Sequence, residues 1–165
     1  MKQLFIMALL GAAIIVGAAE KNLFPAKFYI YGKPNDNSTT VIQKDGQIDC
    51  TVKNGKDSKT ALAGIVGTAI FPKHLTGSFT FGAESKAEKV EGNPHANYCV
   101  YLDFFFADGT KLYGRQVAFT AGTHDWEKKT FTVKVDKPVK HIACYILFRN
   151  MTGKASFRNF FVYNK

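Results

Sequence analysis

Tyr101, Asp103, Phe105, Tyr145 and Arg149 combine the side-chain types that a polyhydroxylated ring calls for. Such a ring offers apolar C–H patches on its faces, which flat aromatic groups cover. It offers hydroxyls around its rim, which a carboxylate or guanidinium engages through paired hydrogen bonds. Tyr101, Asp103 and Phe105 alternate along one stretch, and Tyr145 and Arg149 keep the same parity along another, so in extended chain each set projects from a single side. If the two strands are neighbours, these residues form one mixed patch, and aromatic patches on a sheet face mark binding surfaces. The same residues also allow a plainer arrangement, in which Asp103 and Arg149 form a cross-strand ion pair and the aromatics pack beneath a loop.

Catalytic signatures are absent from the sequence. It contains no His-Glu-x-x-His, no Gly-x-Ser-x-Gly and no glycine-rich phosphate loop. His74, His95, His124 and His141 are too scattered to read as metal ligands, and there is no Cys-x-x-Cys. A glycosidase needs two carboxylates at a set separation, and among thirteen acidic residues some pair could always be proposed, so the acids alone do not decide. The expectation is a protein that is not an enzyme.

The elements that position the candidate residues read as strands. Helical periodicity is missing after the first segment, whereas β-branched and aromatic residues alternate with polar ones near 27–31, 39–43, 47–53, 61–71, 78–82, 98–106, 112–120, 130–135, 141–149 and 155–163. Asp45-Gly46, Asn54-Gly55 and Asp108-Gly109 are dipeptides suited to tight hairpins. In 98–106 the set Tyr98, Val100, Leu102, Phe104 and Phe106 should face the core, leaving Cys99, Tyr101, Asp103 and Phe105 outward. In 141–149 Ile142, Cys144, Ile146 and Phe148 should be buried, with His141, Ala143, Tyr145, Leu147 and Arg149 on the second face. This pattern predicts an all-β fold, a sandwich of two antiparallel sheets.

Met1-Lys2, an uncharged apolar stretch and then Gly17-Ala18-Ala19 follow the three-part order of a secretory leader, with cleavage expected after Ala19. The stretch is only marginally long enough to span a bilayer, so no transmembrane anchor is expected after cleavage. Residues 20–165 then form one domain, and the protein is secreted, periplasmic or held at the cell surface. The formal charge is +9, and from Glu127 onward nine cationic residues face two acidic ones. That balance favours polyanions or simple solubility. For an exported chain it suggests a glycan, one that could be anionic, before nucleic acid. Cys50, Cys99 and Cys144 leave at least one thiol unpaired, and the sequence does not choose a disulfide.

The order of features resembles the jelly-roll carbohydrate-binding modules of families 4, 9 and 22, which are galactose-binding-domain-like in architecture. The matching elements are Asn22-Leu23-Phe24, the hydrophobic strand running from Tyr98 into Asp108-Gly109, Gly122-Thr123-His124-Asp125-Trp126 before a strand, and Gly153 leading into 154–160. The resemblance implies a noncatalytic, lectin-like protein that binds a polysaccharide or glycan on a sheet face through Tyr101, Asp103, Phe105, Tyr145 and Arg149. It also implies that Trp126 is a core anchor rather than a sugar platform. Modules of this kind use an acidic residue in the last strand to hold a structural calcium. Here Arg158-Asn159 stands in that place and a guanidinium repels the ion, so no cofactor is expected. The competing class is an envelope structural protein that contacts another protein or an anionic surface through the basic C-terminal third.

Mass spectrometry of the exported protein should return Glu20 as its first residue; an N-terminus at Met1 would remove the leader.

Overall fold

The computed structural model describes residues 21–25, 27–31, 39–52 and 62–165. The leader at 1–19 and the Asn54-Gly55 turn lie outside the described residues. The strands are β1 (Tyr29–Ile30), β2 (Thr39–Lys44), β3 (Gln47–Val52), β4 (Leu62–Glu91), β5 (Tyr98–Phe106), β6 (Lys111–Ala118), β7 (Gly122–Arg149) and β8 (Thr152–Asn164). All pair antiparallel, in the order β2-β3-β8-β4-β7-β5-β6, with β1 added on β4.

The two long strands build both layers of a β-sandwich jelly roll. Residues 62–70 of β4 pair with 141–149 of β7, and β5, β6 and β1 complete this first layer. Residues 77–90 of β4 pair with 122–135 of β7, and β8, β3 and β2 complete the second. Between these segments the β4–β7 register slips at Ile70/Leu75 and again at Leu75/Gly77. A strand that changes layers must bend, and such slips are where bending occurs. The sequence reading treated 61–71 and 78–82, and likewise 130–135 and 141–149, as separate strands. Each pair is one strand interrupted by a bend near Pro72 or Pro138.

The inner faces meet in an aromatic core. Tyr98, Val100, Leu102, Phe104 and Phe106 from β5 and Ile142, Cys144, Ile146 and Phe148 from β7 are buried there, as their alternation predicts. Phe79 meets Phe104 edge-on across the layers at 5.3 Å, and Tyr98 meets Phe148 and Phe157 at 5.4 and 5.5 Å. The Tyr98 hydroxyl is satisfied inside: it lies 2.5 Å from Ser85 Oγ, which donates to the Ser156 carbonyl at 2.9 Å. The Ser156 hydroxyl in turn bonds Asp49. Cys50, Cys99 and Cys144 are all buried and free, so no disulfide joins them. Burial pushes the Cys99 thiol up to about 12, which keeps it protonated and unreactive.

Turns follow the expected chemistry where described. Asp45 and Gly46 take positive φ in the hairpin joining β2 and β3, and Gly109 does so between β5 and β6. One flank of the sandwich stays open, because β6 and residues 122–135 of β7 are edge strands. A cleft of about 300 Å³ runs there beside Phe131, and Arg115 of β6 lines it.

Ser85→Ala should cost about 1–3 kcal/mol because it strands a buried Tyr98 hydroxyl, whereas Tyr98→Phe should cost nearer ~1 kcal/mol. Urea unfolding of both single mutants and the double mutant should show a double-mutant loss smaller than the sum of the singles.

Candidate functional site

The outer face of the first layer carries the candidate residues in rows set by register. Tyr101 of β5 stands opposite Tyr145 of β7, Asp103 opposite Ala143, and Phe105 opposite His141. On the flanks Tyr145 faces Val66 of β4, and Tyr101 faces Gln116 of β6. Cross-strand neighbours share a face, so the outward assignment of Tyr101, Asp103, Phe105, Tyr145 and Arg149 holds.

Two aromatic rows result. The first is a ladder of tyrosines, with the Tyr31 and Tyr145 rings edge-to-face at 5.3 Å and Tyr145 and Tyr101 at 5.7 Å. The second stacks Phe105 on the His141 imidazole at 4.3 Å, with Tyr113 edge-on to Phe105 at 6.1 Å. Burial and the neighbouring Lys140 charge lower the His141 pKa, so at neutral pH the imidazole behaves as a flat neutral ring. Tyr101 and Phe105 are four residues apart on a strand rising about 3.4 Å per residue, which separates the rows by roughly 13 Å. Small or short side chains, Ala143 and Thr68, lie between them in register with Asp103.

Asp103 forms the floor of that gap. It is only 8% exposed. One carboxylate oxygen accepts the Gly114 backbone N–H at 3.0 Å, and the Tyr101 hydroxyl also hydrogen-bonds the carboxylate. A register break between β5 and β6 beside Asp103 and the positive φ of Gly114 aim that N–H at it. Burial raises the Asp103 pKa, and these two hydrogen bonds oppose the rise. Burial together with the Asp103 charge raises the Tyr101 pKa, and burial raises that of Tyr145.

The alternative ion pair is not formed. Arg149 donates from Nε to the Ala96 carbonyl at 2.9 Å and ties β7 to loop 92–97, while Asp103 takes the partners just described. The predicted outer face is also less open than its alternation implies, since Cys99 and Leu147 are buried at the Arg149 end. The sequence reading did not select Tyr31, Lys111, Tyr113 or Gln116, and it placed His141 on this face without assigning it a role. Alternation in 141–149 could have selected His141, whereas Tyr31 reaches Tyr145 through a pairing no local pattern announces.

Trp126 is not a core anchor. It is half-buried on the second layer, where the Arg158 guanidinium stacks 3.9 Å from its ring centroid and bonds Glu84 at 2.7 Å. Unbroken alternation sets it there: Phe81, Ala83 and Ser85 of β4 face the core opposite Phe131, Lys129 and Glu127, so Trp126 shares the outward side of β7 with Lys128 and Thr130. The Arg158 guanidinium held there repels a cation, so this corner does not suit the calcium that the resemblance implies. Among the described residues no three His, Cys, Asp or Glu side chains gather as a metal site, and no helix is long and apolar enough to cross a membrane.

This architecture, with a curved-back pair of long strands shared by two layers, is a β-sandwich jelly roll. No family model matches the chain, and no curated protein matches it. Among solved structures it is similar to a CBM4 module, with TM-score 0.53 and 15% identity over 84% of this chain and 86% of that one. It is similar to the second N-terminal cellulose-binding domain of the β-1,4-glucanase C of Cellulomonas fimi, with TM-score 0.50 and 13% identity over 90% and 97% of the chains. The enzymatically active domain of tailspike protein 4 from bacteriophage CBA120 also matches, with TM-score 0.55 and 12% identity, over 84% of this chain and 19% of that one. These likenesses define the fold.

Because the folded-state pKa of Asp103 is raised, folding takes up a proton as pH falls from the raised value towards the usual aspartate value. The stability of the wild type should therefore gain on acidification through that window relative to Asp103→Asn. Parallel pH series of urea unfolding should show the difference, and identical pH profiles would contradict it.

Proposed function

We propose that the protein is an exported, noncatalytic carbohydrate-binding protein that holds a polysaccharide or glycan on the outer face of its first layer. The observation that carries this reading is the pair of aromatic rows, Tyr31–Tyr145–Tyr101 and Tyr113–Phe105–His141, flanking the gap floored by Asp103. Two rows about 13 Å apart suit a chain of linked rings better than a single ring. Tyr101 and Tyr145 contribute platforms, and Phe105 contributes the second one. Asp103 holds the Tyr101 hydroxyl in place, and Arg149 borders the tyrosine ladder. The leader at 1–19 supports a place outside the cytoplasm, in a periplasm, at a cell surface or beyond the cell.

The competing reading, adhesion to a protein or anionic surface through the basic C-terminal third, finds less support. Several of those cations are already engaged: Lys129 with Glu127, Lys134 with Asp136, Lys137 with Asp108, Lys154 with Glu88 and Arg158 with Glu84. Paired surface charges make a weak adhesive patch.

A Tyr101→Ala/Tyr145→Ala double mutant should lose about tenfold or more of its retention on polysaccharides. Its circular dichroism should be unchanged. The measurement is a glycan array with polysaccharide pulldown at low and high salt, and undiminished retention in the folded double mutant overturns the site.

A further inference from the structure

The charges on this face are unevenly displayed. Among the described residues its one carboxylate, Asp103, is withdrawn to 8% exposure, and its bonds go to Gly114 and Tyr101. The cations lie at the margins. Lys111 of β6 stands opposite Phe105, its Nζ 5.8 Å from the Phe105 ring centroid and 5.9 Å from that of Tyr113. Among the described residues no carboxylate lies within ion-pair distance of it, in contrast to Lys86, Lys129, Lys134 and Lys154 of the second layer.

At the opposite margin Arg149 lies close enough to Tyr101 and Cys99 for its charge to act on both. Its Nε is spent on Ala96, and no carboxylate faces it among the described residues. A guanidinium tied through Nε keeps its two terminal nitrogens, the pair that grips a carboxylate or sulfate side by side. Lys140, next to His141, adds positive potential behind the second aromatic row.

We infer that the ligand of this face is an acidic polysaccharide, one whose sugars carry carboxylates or sulfates, with Lys111 and Arg149 as the anion contacts at the two ends of the aromatic rows. The inference rests on the glycan-binding reading above and names its substrate class. A neutral sugar would leave an ammonium with no partner of opposite charge beside the Phe105 and Tyr113 rings. An anionic sugar supplies that partner at the place where a ring would stack. The location matters as well, because Lys111 and the aromatic platform lie on the same face, whereas Lys128, over the Phe161 ring, belongs to the other layer.

The test uses the protein with polygalacturonate, alginate and hyaluronan, each beside its carboxyl-reduced counterpart, which keeps the backbone and loses the charge. Titration calorimetry should show at least one acid form bound about tenfold or more tighter than its reduced partner. Lys111→Gln should remove most of that preference, while Lys128→Gln leaves it intact. Equal binding of acid and reduced forms overturns the acidic-ligand inference and leaves the glycan reading standing. Equal losses in Lys111→Gln and Lys128→Gln overturn it too, since net charge alone would then explain the binding. If every acid and reduced form fails to bind, while the glycan array is also blank, both readings fall together.

Discussion

The β4–β7 pairing is the constraint on which the rest of the structure depends. One ladder of partners runs from Leu62↔Arg149 to Val90↔Gly122 and serves both layers, with its bend at Pro72 and Pro138. Everything else is appended to it: β5 and β6 extend one half, β8, β3 and β2 the other. Because the strands bend together, their inner faces close on each other. Phe79 of β4 therefore reaches Phe104 of β5, and Phe81 stands against Phe131 on the open flank. The outer face of the first half must then present whatever the alternate residues of β5 and β7 happen to be. Core and candidate site are two sides of the same strands. The backbone that carries the rings of β5 is anchored by Leu102 and Phe104 on its inner side.

Polar groups inside the sandwich are handled by local bonds. Ser85 sits between the Tyr98 hydroxyl and the Ser156 carbonyl, and Asp103 receives the Gly114 N–H. In both places a backbone group from a neighbouring strand completes what a side chain begins. This keeps burial from leaving unmet hydrogen-bonding capacity. At Asp103 the arrangement also withdraws the one acid that the described residues place on the face, so that these residues meet their surroundings through rings and cations.

The sequence was most legible where alternation is strong. In 98–106 and 141–149 every second residue is large and apolar, and the faces read from that pattern are the ones observed. Legibility failed where the inward residues are small. Residues 83–87 of β4 turn Ala83, Ser85 and Ala87 to the core, and three small side chains give no apolar signal against Glu84 and Lys86. The continuation of β4 was therefore missed. Trp126 was misplaced for a different reason: the resemblance suggested a core anchor, whereas the alternation of Phe131, Val133 and Val135, carried back along β7, already puts it on the outward side. Within the site, Tyr101, Phe105 and Tyr145 followed from strand pattern. Tyr31 and Lys111 depend on which strands become neighbours, and the Asp103–Gly114 bond depends on an irregularity between β5 and β6. None of these has a local signature.

Arg115 shows how the open flank is kept from becoming a liability. It stands opposite Leu102, an inward position on an edge strand, and lines the cleft beside Phe131 while its guanidinium reaches the Tyr113 carbonyl. Across the gap, Lys129 takes an inward position on the other edge strand, opposite Ala83. A second copy that approached to continue either sheet at this flank would have to bury these cations, and inward charges on edge strands are an effective bar to that kind of pairing. The consequence concerns crowding. Many copies brought shoulder to shoulder along one polymer would meet flank to flank, at local concentrations where bare sheet edges would fuse into aggregates. With Arg115 and Lys129 in place, copies meeting at this flank would be held from pairing edge to edge.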